Sequence, residues 1–511
     1  MLRSLRNILR LLAIARVLAR HGALRALDSA LADVGAHSLF LDLARFLFGR
    51  GVGSGRPGER LAAALSELGP AFIKLGQMLS TRTDLLGEQV AADLSLLQDR
   101  LPPFPAAAAR ATIEAELGRP VGELFLRFDD RPVSAASIAQ VHFAILPETD
   151  PFPAHEVAVK ILRPGIEQAF QRDLDLLRWL AELLEATQPR LCRFRPIAVI
   201  EEFARTVALE MDLRLEAAAA VELAANFAAD PTYRVPAIDW QRTQRRLLTQ
   251  ERITGARMDD RAQILAAGHD IRDILTKAAA IFFKQSFRDG FFHGDQHPGN
   301  MLVDAEGRIG AVDFGIMGRL DRPTRHYLAD MLLGFLRRDY QRLADIHFAA
   351  GYVPAGQSRD SFAQALRAIG EPVFGRPLAE ISFARILGQL FQLASAFEMQ
   401  VQPQLLLLQK NMLMAEGVSR RLDPELNIWT LAEPLIEQWM RDNRGPEARL
   451  VEAADAVVET AKRLPRLLRL LERRLEAEAA PKRAPHPMRI AGFGITWWIA
   501  ALALLALLLG R

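Results

Sequence analysis

Residues 293–300 read HGDQHPGN, and thirteen positions beyond Asn300 stands Asp313, within the run VDFG (Val312–Gly315). A carboxylate and a carboxamide five residues apart, with a second carboxylate a short way on, form a set of hard oxygen ligands. Such a set suits Mg²⁺, which takes few protein oxygens and fills its remaining positions with water and phosphate. Asn300 and Asp313 are the candidate metal ligands, and Asp295 is the candidate catalytic group, able to orient a nucleophile or accept its proton. His293 and His297 have a four-residue spacing that can ligate zinc on a helix. Gly294, Pro298 and Gly299 argue against a helix there, so His293 is read as scaffold. Well upstream, Lys160 ends the run VAVK, where an ammonium fixed on a strand can neutralise phosphate charge.

That lysine needs an acidic partner. The stretch LEMDLRLEA (209–217) offers Glu210, Asp212 and Glu216. On one continuous helix over 201–225, Asp212 and Glu216 share a face and Glu210 is displaced around it. Between the acids and the chain start, VSAASIAQVH (133–142) lies at the distance from Lys160 expected of a phosphate-covering loop. Ala135, Ala136, Ser137, Gln140 and Val141 are its candidate nucleotide-facing residues. The small side chains from Ser134 to Ser137 permit close backbone approach. Alanine enters positive φ less readily than glycine, so this loop is expected to be stiff.

Strand-like runs that could position these groups are LFLRF (124–128), AQVHFAIL (139–146), EVAVKIL (156–162) and RRLLTQERI (245–253), with short strands at MLVD (301–304) and RIGAVDF (308–314). The remainder is mostly helical, and no internal repeat is present. The expected division is basic amphipathic helices over 1–50, a linker and further helix over 51–105, and a strand-rich lobe with inserted helices over 106–253. A helical lobe follows over 254–475, then a linker over 476–489. The order of strands, helix, strand and helical remainder makes the fold class α+β, a bilobal kinase-like arrangement.

Composition restricts the options further. The 511 residues are 50% hydrophobic and 24% charged, with a net charge of +3. This is a folded protein without the global positive charge of a nucleic-acid binder. Its single cysteine, Cys192, excludes an internal disulfide framework and is read as a buried thiol. The ends point to a membrane. The first 27 residues carry six Arg and no acid, and Arg3, Arg6 and Arg10 fall on one helical face opposite Leu5, Ile8 and Leu12. A helix of this kind can lie on an anionic lipid surface. Residues 490–510, IAGFGITWWIAALALLALLLG, contain no charge and read as a transmembrane helix. Lys482, Arg483 and Arg489 precede it, which places the main body in the cytoplasm.

VAVK, then Asp-x-x-x-x-Asn, then DFG is the order and spacing of protein kinases. Gly294 replaces the Arg of the kinase HRD, however, and no A-P-E follows DFG at the usual distance. KLGQ (Lys74–Gln77), the Ala-rich loop, EMD (Glu210–Asp212), HGDQHPGN and EGVSRRLDPELN (416–427) together closely resemble the UbiB family of atypical protein-kinase-like proteins over most of the chain. The resemblance implies that Glu216 pairs with Lys160. It also implies that the KLGQ helix covers the protein-substrate cleft, with Lys74 and Gln77 forming a regulatory cleft with Glu210 and Asp212. The implied activity is that of a membrane-associated ATPase using ATP and Mg²⁺ in support of ubiquinone biosynthesis at the cell inner membrane. Anionic membrane lipid, quinone precursors and quinone-biosynthesis enzymes are the implied partners. Two alternatives are a kinase acting on a lipid or small molecule, and a nucleotide-binding scaffold for quinone-modifying enzymes. Two departures from the family pattern are the Ser134 that begins the Ala-rich loop and a single C-terminal span where members often carry two.

Overall fold

Proline at the first helical position and glycine at the corner shape the start of the chain. The computed structural model describes residues 2–23, 55–80, 101–148, 155–187, 195–374 and 402–426, with isolated residues at 90–97, 389–399, 434 and 438. The chain divides into two units, Met1–Trp439 and Met440–Arg511, and every described residue belongs to the first. Helices α1 (Leu2–Arg20), α2 (Pro57–Leu68) and α3 (Pro70–Leu79) open the fold. Pro57 and Pro70 sit where a missing N–H costs nothing, and Gly69, at φ 107°, supplies the left-handed corner between α2 and α3. Helix α2 therefore begins inside the expected linker, with Glu59 accepting from the Arg56 N–H at 2.8 Å.

Helix α4 (Ala106–Leu117) ends on the left-handed Gly118 and is followed by the strand-rich lobe. Its strands are β1 (Arg127–Phe128), β2 (Ser134–Ala135), β3 (Ala139–Leu146) and β4 (His155–Leu162). Helices α5 (Ile166–Thr187), α6 (Pro196–Glu210) and α7 (Leu213–Asn226) come next, then β5 (Tyr233–Arg234) and β6 (Leu247–Glu251). The antiparallel sheet runs β1-β3-β4-β6, with β2 also paired to β3. Of LFLRF, only Arg127 and Phe128 enter the sheet; Leu124 closes a helical turn, Val121–Leu124. Successive side chains of a strand face opposite ways. Val157, Val159 and Ile161 thus bury against Ala109 and Ile113 of α4, and Lys160 is turned to the other face. In register it lies between Val141 and Leu248.

The single helix expected over 201–225 is two helices. Asp212 breaks it by capping α7, its carboxylate accepting from the Arg214 N–H at 3.2 Å. Asp is a strong N-cap because it satisfies an otherwise unpaired donor. Asp212 and Glu216 therefore do not share a helical face as expected.

The second lobe holds β7 (Ala256–Arg257), α8 (Ile271–Phe283), a π-helical turn over Lys284–Asp289, β8 (Phe291–His293), β9 (Met301–Val303), β10 (Ile309–Ala311) and β11 (Met317–Arg319). Helices α9 (Arg322–Leu336), α10 (Tyr340–Ala349), α11 (Arg359–Phe374) and α12 (Pro403–Leu422) complete it. One sheet runs β5-β10-β9-β7, and β8 pairs with β11. Strands of two or three residues carry little alternation, and β2, β5, β7, β8 and β11 fall outside the strands read from sequence, while β9 and β10 fall within them.

Arg6 and Arg10 of α1 pair within the fold, where an arginine face left to a lipid surface was expected, and the Arg3 side chain lies outside those described. Ile14 and Leu18 of α1 bury with Leu61 and Phe72 against Phe170 and Leu174 of α5. Arg6 and Arg10 each lie 2.9 Å from an acid of α5, Asp175 and Asp173 respectively. Ile8 and Leu9 face outward instead, at 44% and 61% exposure. A buried carboxylate such as Asp173 needs a cation, and Arg10 supplies it. Among the described residues no helix is long and apolar enough to cross a membrane. The span expected at 490–510, the linker 476–489, Cys192 and the glycines at 51–53 lie outside those residues.

Candidate active site

Two lobes bring one cation and two carboxylates to the same point. Lys160 Nζ lies 2.8 and 3.0 Å from the oxygens of Glu216 and 2.9 Å from Asp313 Oδ2. Burial alone would lower the Lys160 pKa, but Asp313 and Glu216 outweigh it and hold the ammonium charged above its ordinary value. Burial works against ionised Asp313 too, yet Lys160 holds that carboxyl well below the usual carboxylate range. For Glu216 the burial wins, and its carboxyl is pushed up. The Phe314 N–H also donates to Glu216, at 3.4 Å, and the Gly315 N–H to Asp313 Oδ1, at 3.0 Å.

His293, at the end of β8, ties the two carboxylate loops together. Its Nδ1 accepts from the Asp295 N–H at 3.1 Å, which leaves Nε2 to donate to the Asp313 carbonyl. Burial lowers the His293 pKa, as a neutral ring with one proton on Nε2 requires. This is the scaffold role read from the sequence. The same packing explains the missing arginine. The Gly294 N–H donates to the Ile316 carbonyl at 2.8 Å, and a Cβ at Gly294 would stand 2.9 Å from the Ile316 side chain. Beyond Asp295 the loop turns through a 3-10 segment, Pro298–Asn300, and Asn300 Nδ2 donates back to the Asp295 carbonyl at 3.2 Å.

The Ala-rich segment is a hairpin in which Ser134 and Ala135 pair with Val141 and Gln140. Its tip is clamped from outside, since Arg163 donates twice to the Ala136 carbonyl, at 2.8 and 3.1 Å. Gln140 is placed differently from the nucleotide-facing role expected of it. It is buried, it accepts from the Phe104 N–H at 3.0 Å, and its amide meets His142 at 2.7 Å. An amide saturated by its own fold is not available to a ligand. Ser137 is fully buried, whereas Ala135 and Ala136 stay partly open.

Of the regulatory-cleft residues, Lys74 on α3 lies 3.0 Å from Glu210 at the end of α6. Asp212 is engaged by Arg214, at 2.7 Å. Gln77 lies one turn further along α3 and is partly buried. The sequence reading missed two residues that reach the catalytic loop from α12. Lys410 Nζ lies 2.7 Å from Asp295 Oδ1. Next to it, buried Asn411 accepts from the Gln296 N–H at 3.2 Å and donates to the His293 carbonyl. The available signal was a polar Gln-Lys-Asn triplet interrupting the apolar run LLLLQKNMLM (405–414).

The donor set fits a hard cation. Asn300 spends its amide nitrogen on the Asp295 carbonyl and keeps its oxygen, while Asp313 is held ionised. Among the described residues there is no group of three or more His, Cys, Asp or Glu suited to a metal. Asn300 and Asp313 are the residues that would hold a magnesium ion, which takes few protein oxygens and would fill its other positions with phosphate and water.

Two lobes, a strand lysine paired with a helix glutamate, and Asp-Asn and DFG loops define a protein-kinase-like fold of an atypical kind. Residues 96–347 match the ABC1 atypical kinase-like domain and residues 366–427 the UbiB helical domain. A relative from Marinobacter nauticus, described as a probable protein kinase UbiB, is 46% identical over 393 residues, 76% of this chain and 71% of that protein. One from Xanthomonas axonopodis pv. citri, of the same description, is 44% identical over 420 residues, 81% of this chain and 75% of that protein. The solved complex of Rv3197 with erythromycin from Mycobacterium tuberculosis superposes with a TM-score of 0.51 at 28% identity, over 74% of this chain and 95% of that one. The chain belongs to the UbiB family.

Proposed function

We propose that this protein is a membrane-associated, Mg²⁺-dependent ATPase of atypical-kinase fold that serves ubiquinone biosynthesis. The observation that carries the reading is the Lys160, Glu216 and Asp313 cluster, placed on the same strut as Asp295 through His293. Bound magnesium neutralises charge on the transferred phosphoryl group. Lys160 binds nucleotide phosphate, Glu216 keeps that lysine aimed, and Asp295 orients the attacking group. The Lys74 to Glu210 ion pair fastens α3 to the end of α6, and a KLGQ helix held there as the family pattern implies leaves peptide substrates little room, which favours water as acceptor. Membrane association rests on the apolar stretch at 490–510, and the ubiquinone role on family membership.

The test is phosphate release by the purified full chain with ATP, with and without Mg²⁺, anionic liposomes and a quinone-like phenol. Asp313→Asn removes a charged metal ligand and is expected to abolish Mg²⁺-dependent release. Unchanged release by this variant overturns the assignment of Asp313, and transfer of the phosphoryl group to the phenol replaces the ATPase by a small-molecule kinase.

A further inference from the structure

The catalytic loop has an aspartate and an asparagine but no cation of its own. Between Asp295 and Asn300 lie only Gln296, His297, Pro298 and Gly299. A terminal phosphate approaching Asp295 meets a like charge, and Lys160, which serves nucleotide phosphate from β4, is held at Glu216 and Asp313 rather than at Asp295. The cation present at Asp295 is Lys410, 115 residues away in sequence, at 2.7 Å from Oδ1.

Its position is not the accident of a long side chain. Asn411, fully buried, grips the loop on both sides of Asp295, through the Gln296 N–H and the His293 carbonyl. Leu408 packs with Phe292 of β8. Helix α12 is thus fastened at the one place where its single lysine reaches the catalytic carboxylate. The Lys410 side chain remains 43% exposed, and an ammonium has three donors, of which Asp295 takes one.

We infer that Lys410 is a catalytic residue that contacts the terminal phosphate of bound ATP while holding Asp295 in place, so that the helical segment 366–427 completes the active site of the kinase-like domain. The inference rests on the ATPase reading. In the step it serves, the oxygen of water bonds to the γ-phosphorus as the bond from γ-phosphorus to the β,γ-bridging oxygen breaks. The electron pair leaves with ADP, and the proton from water passes to Asp295 and on to solvent. Lys410 offers one N–H to Asp295 and another to a γ-phosphoryl oxygen, where charge is spread during transfer.

The experiment compares Lys410→Gln and Lys410→Arg with the parent full chain in three readouts: saturated phosphate release, affinity for a non-hydrolysable ATP analogue, and affinity for ADP. Removing one preorganised donor is expected to lower saturated release by about 10²-fold in Lys410→Gln. Loss of a charge-assisted hydrogen bond is expected to weaken the ATP analogue by about tenfold and leave ADP unchanged. Lys410→Arg retains the charge and is expected to recover part of both. Release within about twofold of the parent overturns the inference. So does equal weakening of both nucleotides, which marks a residue acting only through the loop. Failure of both variants to fold also overturns it, since that makes Lys410 a structural strut. A parent chain that neither binds nor hydrolyses Mg²⁺-ATP overturns the ATPase reading itself, and this inference with it.

Discussion

Lys160 and Lys410 each hold an aspartate of the site, yet they are built in opposite ways. Lys160 leaves a strand of the first lobe, is 17% exposed and meets Glu216, itself 7% exposed, as well as Asp313. Lys410 leaves a helix of the second lobe, is 43% exposed and meets only Asp295 among its described contacts. Breaking a buried ion pair strands an uncompensated charge. An exposed pair contributes little to stability because water and salt screen it. The buried pair therefore fixes Lys160 within the first lobe before any ligand arrives, and the Lys410 contact is free to exchange partners when one does. A site can keep its permanent and its transient cations apart by burial alone.

The largest effect that tests this contrast is expected at Lys160. Lys160→Met should eliminate turnover and cost about 3–5 kcal/mol of folding stability in urea, because Glu216 is left buried and unpaired. A variant as stable as the parent would show that Glu216 is relieved by another group. Next comes the stability of Lys410→Gln, which should stay within about 1 kcal/mol of the parent despite its loss of turnover. If it destabilises as much as Lys160→Met, the distinction between the two lysines disappears.

The smallest effect is one of pH. Burial holds His142 in the first lobe and His293 in the second below their ordinary pKa. The unfolded chain therefore takes up more protons than the folded one as pH falls below about 6.5. The stability these neutral rings contribute is complete above that value and is lost progressively beneath it. The melting temperature should fall between pH 7.5 and pH 5.5, roughly the window of histidine titration. His142→Gln should flatten that slope while leaving the geometry around Asp295 and Asp313 untouched. An unaltered slope assigns the sensitivity to the second lobe.

Much of this was legible in short stretches of chain. VAVK announces a strand because alternation is local, and the same alternation turns Lys160 away from the Val159 and Ile161 face. Asp295, Asn300 and Asp313 are recognisable because loop geometry makes their spacing short. Even the break at Asp212 has a local signal, an N-cap residue followed by helix formers, which a single amphipathic reading of 201–225 overrode.

Other features depended on what packs against what. Gln140 carries the right address for a nucleotide contact, but the segment at Phe104 arrives from another direction and takes its amide. The arginines of α1 follow a membrane-facing pattern, yet Asp173 and Asp175 on α5 claim Arg6 and Arg10 and turn Ile8 and Leu9 outward. Gly294 reads as a lost arginine until Ile316 is seen to occupy the space. The amino-acid sequence by itself determined the strands, the phosphoryl-transfer residues and their order, because backbone periodicity and loop spacing act over a few residues. Only the tertiary structure decided that Lys410 stands at Asp295, because a contact across 115 residues is set by the burial of Asn411 and Leu408 against β8 and the loop, which no local pattern encodes.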